Sequence, residues 1–241
     1  PALHLEYGTD IALNAGNAMY FLPLKIITHN PGEFDADTRL QTYEMLMHEL
    51  NRTHLGQGMD ICWHNEETVR ASEQTYFEMC ACKTGCIGRI VARLPAILTG
   101  QSAETERLVA DYAERMSVAF QIGDDILDVE HTLDQAGDFG KEFGNDVREG
   151  KKTLMVIHAA ENAPEKEVER LEEILWAEDN THAEIMEAID ILQDAGSIDF
   201  ARERAERLAR EARESLDAID LESEPADQLA DFTRFVIERD V

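Results

Sequence analysis

Apolar residues recur every three or four positions almost from one end of the chain to the other, a spacing that admits little besides helix. A stripe repeated at that period is buried only against another such stripe. The expected fold is therefore all-α, a single-domain bundle of about ten helices spanning residues 1–241 around a central cavity. The periodic stretches are residues 3–27, 35–61, 66–98 (as one or two helices) and 103–133. After a Gly-rich, charged loop over 136–150 come 153–160, 164–177, 181–195, 197–219 and 225–238. The turn signal His29-Asn30-Pro31-Gly32 closes the first stretch. Thr181, three residues before Glu184, predicts an N-cap with its capping box, and Ser197 predicts a second N-cap. No alternating run of β-branched residues is long enough for a strand, and neither a linker nor an internal repeat divides the chain.

Charge narrows the possible partners. The 241 residues carry 50 Asp and Glu against 22 Lys and Arg, a formal net charge of -28, yet 44% are hydrophobic. Such a polyanion does not bind nucleic-acid phosphate or anionic lipid as a general partner, because that binding relies on cations. The apolar content is too high for a disordered acidic chain. No run approaches a membrane span and no signal peptide opens the chain, so a cytoplasmic protein is expected. Four cysteines suit a reducing compartment. Cys80 and Cys82 point to opposite sides of a helix, and only Cys82 and Cys86 share a face. The cysteines therefore read as small packing residues rather than as a zinc site.

Two segments carry the chemistry. In Phe120-Gln121-Ile122-Gly123-Asp124-Asp125-Ile126-Leu127-Asp128, Asp124 and Asp128 lie one helical turn apart with Asp125 beside them. Three carboxylates in an otherwise apolar helix repel one another unless a hard cation relieves them. Magnesium prefers such oxygen ligands and keeps positions open for phosphate. An acid-rich chain produces this spacing by chance on a solvated face, but Phe120, Ile122, Ile126, Leu127 and Val129 argue against such a face here. The second segment runs from Phe139 through Gly140-Lys141, Gly144 and Asp146 to Arg148-Glu149-Gly150-Lys151-Lys152-Thr153. The chain has only six lysines, and three of them fall in this segment. A fourth, Lys83, stands in Cys82-Lys83-Thr84-Gly85. Scarce cations gathered beside glycines suit a phosphate pocket facing the carboxylates.

Together these residues resemble the trans-isoprenyl diphosphate synthases, the family of farnesyl, geranylgeranyl and longer polyprenyl diphosphate synthases. The segment from Phe120 to Asp128 is similar to that family's second aspartate-rich motif. Residues 140–153, Lys83-Thr84 and Gly56-Gln57-Gly58-Met59-Asp60 follow further family signatures in order. Residues 1–8 and Asn14-Ala15-Gly16-Asn17 look like the stretch after its first aspartate-rich motif. That first motif and the residues upstream that hold isopentenyl diphosphate do not appear here, so the chain is expected to lack an N-terminal part.

The resemblance implies a magnesium-dependent prenyl transfer between isopentenyl diphosphate and an allylic prenyl diphosphate, by a protein that is a homodimer. It assigns Asp124, Asp125 and Asp128 to magnesium and Lys83, Lys141 and Lys151 to diphosphate. Thr84 and Gln121 are placed beside the allylic cation. Gln57 and Asp60 are candidates either for substrate contact or for a packing hydrogen bond, and Asp146 for orienting a lysine. Alternatives are a class I terpene cyclase, against which the lysine set stands, and a non-catalytic subunit regulating a synthase. Residues 161–241 hold 25 acidic and 9 basic residues, so the motif-poor third is the most acidic, as expected of a solvated shell adapted to high salt.

Overall fold

A computed structural model describes residues 1–66, 69–134 and 144–237. Among these residues every regular element is helical. In order they are α1 (Leu3–Tyr7), α2 (Thr9–Phe21), α3 (Lys25–His29), α4 (Ala36–Asn65) and α5 (Glu73–Cys80). A π-helical turn (Ala81–Gly85) leads into α6 (Cys86–Leu98), followed by α7 (Ala103–Asp134) and α8 (Asn145–Arg148). The chain continues with α9 (Leu154–Asn162), α10 (Glu165–Leu175), α11 (His182–Asp194), α12 (Ser197–Asp217) and α13 (Ser223–Ile237). The all-α architecture is as expected, and none of the helices is long and apolar enough to cross a membrane.

The described α-helices number thirteen rather than about ten, and they depart from the expected stretches at three places. The first stretch breaks at Gly8, whose φ of 89° leaves the helical region, and again around Pro23, which has no N–H to donate. The stretch expected from residue 66 begins only at Glu73, where the Ser72 hydroxyl accepts the Thr75 N–H at 3.1 Å. Upstream of it Val69 is fully buried and donates its N–H to Glu172 Oε1 at 3.1 Å, so a tertiary contact takes the place of a helical turn. The third place is the expected 136–150 loop, where Asn145–Arg148 form a short helix.

The capping box at Thr181 and Glu184 forms as expected. Ser197 does not cap α12. Gly196 takes the N-cap in a left-handed conformation, and the fully buried Ser197 hydroxyl meets His158 Nδ1 at 3.0 Å instead.

Helix α7 is the axis of the bundle, packed by α12, α6, α13 and the π turn. Its apolar residues Val118, Ile122, Ile126 and Val129 join α5 and α9–α12 in the main core, whereas Tyr112, Met116 and Ala119 join α12 and α13 in a second. Helices α4, α6 and α7 are tied by charge. Glu49, 1% exposed, accepts from Arg89 Nε at 2.9 Å and from Arg93 at 2.7 Å, while Arg89 also pairs with Glu114.

Helix α4 crosses the π turn at Gly56, where an added Cβ would strike the backbone of Cys82 and Lys83. No side-chain rotation relieves a clash with backbone. Gly56→Ala is therefore expected to cost about 1–3 kcal/mol in chemical denaturation. An unchanged midpoint would show that the two elements do not approach so closely.

Candidate active site

The π turn is what brings Lys83 and Thr84 to the acidic face of α7. Such a turn inserts an extra residue into the helical ladder, re-aiming the side chains it carries. Lys83 Nζ donates to Asp60 Oδ2 on α4 at 2.5 Å. Thr84 Oγ1 donates to Gln121 Oε1 at 3.3 Å, and Gln121 Nε2 donates to Asp125 Oδ1 at 3.0 Å. Lys151 Nζ reaches the same Asp125 oxygen at 2.7 Å and both oxygens of Asp146 at 3.0 and 3.1 Å. The Asp146 N–H donates to Asp128 Oδ2 at 3.2 Å. One polar string thus joins Thr84, Gln121, Asp125, Lys151, Asp146 and Asp128, residues drawn from the π turn, α7 and the segment around α8.

The sequence-predicted residues are therefore largely assembled, with particular roles. Asp146 pairs with Lys151, and Asp60 with Lys83. Gln57 is exposed at the rim and lines the cleft without a hydrogen bond to the described residues. Lys141 lies outside the described residues. Tyr76 was not anticipated: it is fully buried and donates from its hydroxyl to Asp125 Oδ2 at 3.2 Å. It falls within an ordinary helical pattern, and nothing in its local sequence distinguishes it from a core tyrosine.

The three carboxylates of α7 are not equivalent. Asp125 is 2% exposed with both oxygens engaged, whereas Asp124 and Asp128 are only half-buried. No three acidic, His or Cys side chains among the described residues form a ready-made metal cage. An oxygen-only donor set with two half-buried carboxylates one turn apart nevertheless fits magnesium, which takes few protein ligands and completes its shell with water and phosphate.

Burial raises the Asp125 carboxyl above its ordinary pKa, although Lys151, Gln121 and Tyr76 act the other way. Burial and the neighbouring Asp125 push Asp146 up to about 7, despite Lys151. Burial opposes the charge on Lys151, but the two carboxylates outweigh it and raise its pKa, so it stays cationic near neutrality. The sign for Asp146 follows from its raised value. From about pH 4 to 7 the folded chain keeps a proton that the unfolded chain has released, so stability falls as pH rises through that window. Asp146→Asn removes this contribution, and a thermal-unfolding series between pH 4.5 and 8 is expected to be shallower than for the parent. Identical slopes would exclude the perturbed Asp146.

Three voids surround the string. A cavity of about 20 Å³ lies among Lys83, Thr84, Gln121, Asp125 and Lys151, too small for more than a water molecule. Beside it opens a polar cleft of about 660 Å³ walled by Gln57, Asp60, Lys83, Arg148 and Lys151. On the other side of Thr84 an apolar cavity of about 560 Å³ runs between α6, α7, α12 and α13, past Val91, Met116, Phe120, Leu216 and Phe232.

The fold is an all-α bundle in which carboxylates and lysines stand beside an apolar cavity. The polyprenyl synthetase family profile matches residues 1–192, and the chain belongs to that family. It is 33% identical over 239 residues to a geranylfarnesyl diphosphate synthase of Natronomonas pharaonis, covering 99% of this chain and 66% of that one. It is 32% identical to a geranylgeranyl pyrophosphate synthase of Geoglobus acetivorans, covering 99% of this chain and 70% of that one. The crystal structure of a geranylgeranyl pyrophosphate synthetase from Pyrococcus horikoshii superposes with a TM-score of 0.88 at 29% identity, covering all of this chain and 70% of that one. The chain thus spans about two thirds of the length of these relatives.

Proposed function

We propose that this chain acts, as one domain, as the catalytic body of a prenyltransferase that condenses isopentenyl diphosphate with an allylic prenyl diphosphate to give a longer trans-prenyl diphosphate. One observation carries the reading: Thr84 lines both the apolar cavity of about 560 Å³ and the small polar cavity that holds Lys83 and Asp125. A molecule with a charged head and a hydrocarbon tail fits across that junction, its reacting carbon level with Thr84. The similarity to geranylfarnesyl and geranylgeranyl diphosphate synthases supports the same substrates.

Asp124, Asp125 and Asp128 would hold magnesium, which supplies a Lewis acid for the departing diphosphate. Lys83 and Lys151 leave Asp60, Asp125 and Asp146 to meet the charge that grows on the leaving group, with Lys141 in the same role. Thr84 and Gln121 present oxygens to the allylic cation. The apolar walls keep water from quenching it before the isopentenyl double bond attacks and a proton is lost. No protein nucleophile is required. Before substrate arrives Asp60 holds Lys83, and Gln57 lies at the rim of the cleft.

Pairing of two copies fits the surface of α1–α3. These helices bury no residue of their own and leave Leu5, Met19, Phe21 and Ile26 between 65% and 71% exposed. Such a homodimer would work in the cytoplasm, and its acid excess suits high salt. Stability is accordingly expected to rise with added KCl, and a thermal midpoint unchanged on dilution would refute the salt adaptation.

The reading is tested with the product of the complete reading frame, labelled isopentenyl diphosphate, an allylic primer and magnesium. Label is expected in longer prenyl diphosphates. No elongation at any salt concentration would overturn it.

A further inference from the structure

Lys152 is the unexplained cation of this site. It is 6% exposed and makes no hydrogen bond or ion pair with any described residue. It also lines both polar spaces, the small cavity at Asp125 and the open cleft of about 660 Å³. Its ammonium faces the open cleft with no carboxylate of its own, which leaves it free to take an anion there. Burial pulls its pKa below the ordinary lysine value, with Glu66 and Glu172 offsetting part of that. Glu172 is already engaged by the Val69 N–H.

The contrast with its neighbours is informative. Lys83 is held by Asp60, and Lys151 by Asp125 and Asp146. Each of those lysines must give up a carboxylate before it can hold a phosphate, and part of the attraction is lost in the exchange. Lys152 gives up nothing.

We infer that Lys152 is a substrate-binding residue, a resident ammonium that receives a diphosphate oxygen in the cleft before Lys83 and Lys151 are released from their carboxylates. The inference rests on the diphosphate reading of the site and adds to it a residue that makes the first contact.

The test is calorimetric titration with inorganic diphosphate and magnesium on the parent chain, Lys152→Met and Lys151→Met, each with a thermal midpoint. Loss of one charge-assisted contact is expected to weaken binding about tenfold in Lys152→Met. Its midpoint is expected to be unchanged, since no hydrogen bond or ion pair to a described residue is lost. In elongation assays the same variant is expected to raise KM for the allylic diphosphate more than it lowers kcat. Lys152→Gln replaces it if the Met variant does not fold. Unaltered affinity in either folded variant, or failure of both to fold, overturns the inference. Lost binding in Lys151→Met with retained binding in Lys152→Met removes Lys152 alone. A parent chain that does not bind diphosphate removes the reading of the whole site.

Discussion

Glu49→Ala is expected to destabilise the fold by about 3–5 kcal/mol, the cost of leaving a buried charge without its partner. Arg89 is 5% exposed and loses the carboxylate that accepts its Nε; Arg93 loses its own bond to the same group. Glu114 remains for Arg89 and Glu106 for Arg93, so the structure retains a partial pairing that keeps the loss within this range. For a chain of this size the thermal midpoint should fall by roughly 10–15 °C. The pH dependence gives a second check. Burial alone would raise the Glu49 carboxyl, but the Arg89 and Arg93 guanidiniums outweigh it and hold the pKa below the ordinary value. Its contribution is therefore complete above the unfolded carboxyl pKa and disappears as pH falls through the lower folded value. The difference between parent and variant should shrink in acid. A variant within about 1 kcal/mol of the parent at neutral pH would show that the network is dispensable.

The second large effect concerns activity. Asp125→Asn preserves the size of the side chain and its ability to accept from Tyr76, but removes the charge that holds Lys151. Elongation by the complete protein is expected to fall about 10²–10³-fold, the scale seen when one preorganised electrostatic group is lost. Stability should change little, because a carboxylate already disfavoured by burial becomes neutral. Glu173→Gln, at an exposed acid on α10, should leave the rate unchanged. Equal rates for Asp125→Asn and the parent would remove Asp125 from the machinery.

What the sequence made legible follows its periodicities. The 3.6-residue repeat gave the all-α fold, and the Thr181 box announces its helix end through local bonding alone. The Asp124-Asp125-Ile126-Leu127-Asp128 run and the clustered lysines declared a charged site, and the chain brings Lys83, Thr84, Gln121, Asp125 and Lys151 together. Other features depend on partners distant in sequence. The π turn at 81–85 has no local signature, and it is α4, packed through Gly56, that lies against it. Tyr76 meets Asp125 across 49 positions and Glu49 meets Arg89 across 40, separations at which no spacing rule operates. Ser197 looked like a cap because its residue type favours one, but the neighbouring Gly196 adopts the left-handed backbone at lower cost, and His158 takes the hydroxyl.

The measurement that bears most directly on the central claim is the binding of an allylic diphosphate to this chain with and without magnesium, in the parent and in an Asp124→Asn, Asp128→Asn double variant. Binding that needs magnesium in the parent and no longer responds to it in the double variant is the result expected of a diphosphate held between the carboxylates and the lysines. Binding indifferent to magnesium in both, or no binding in either, would contradict it.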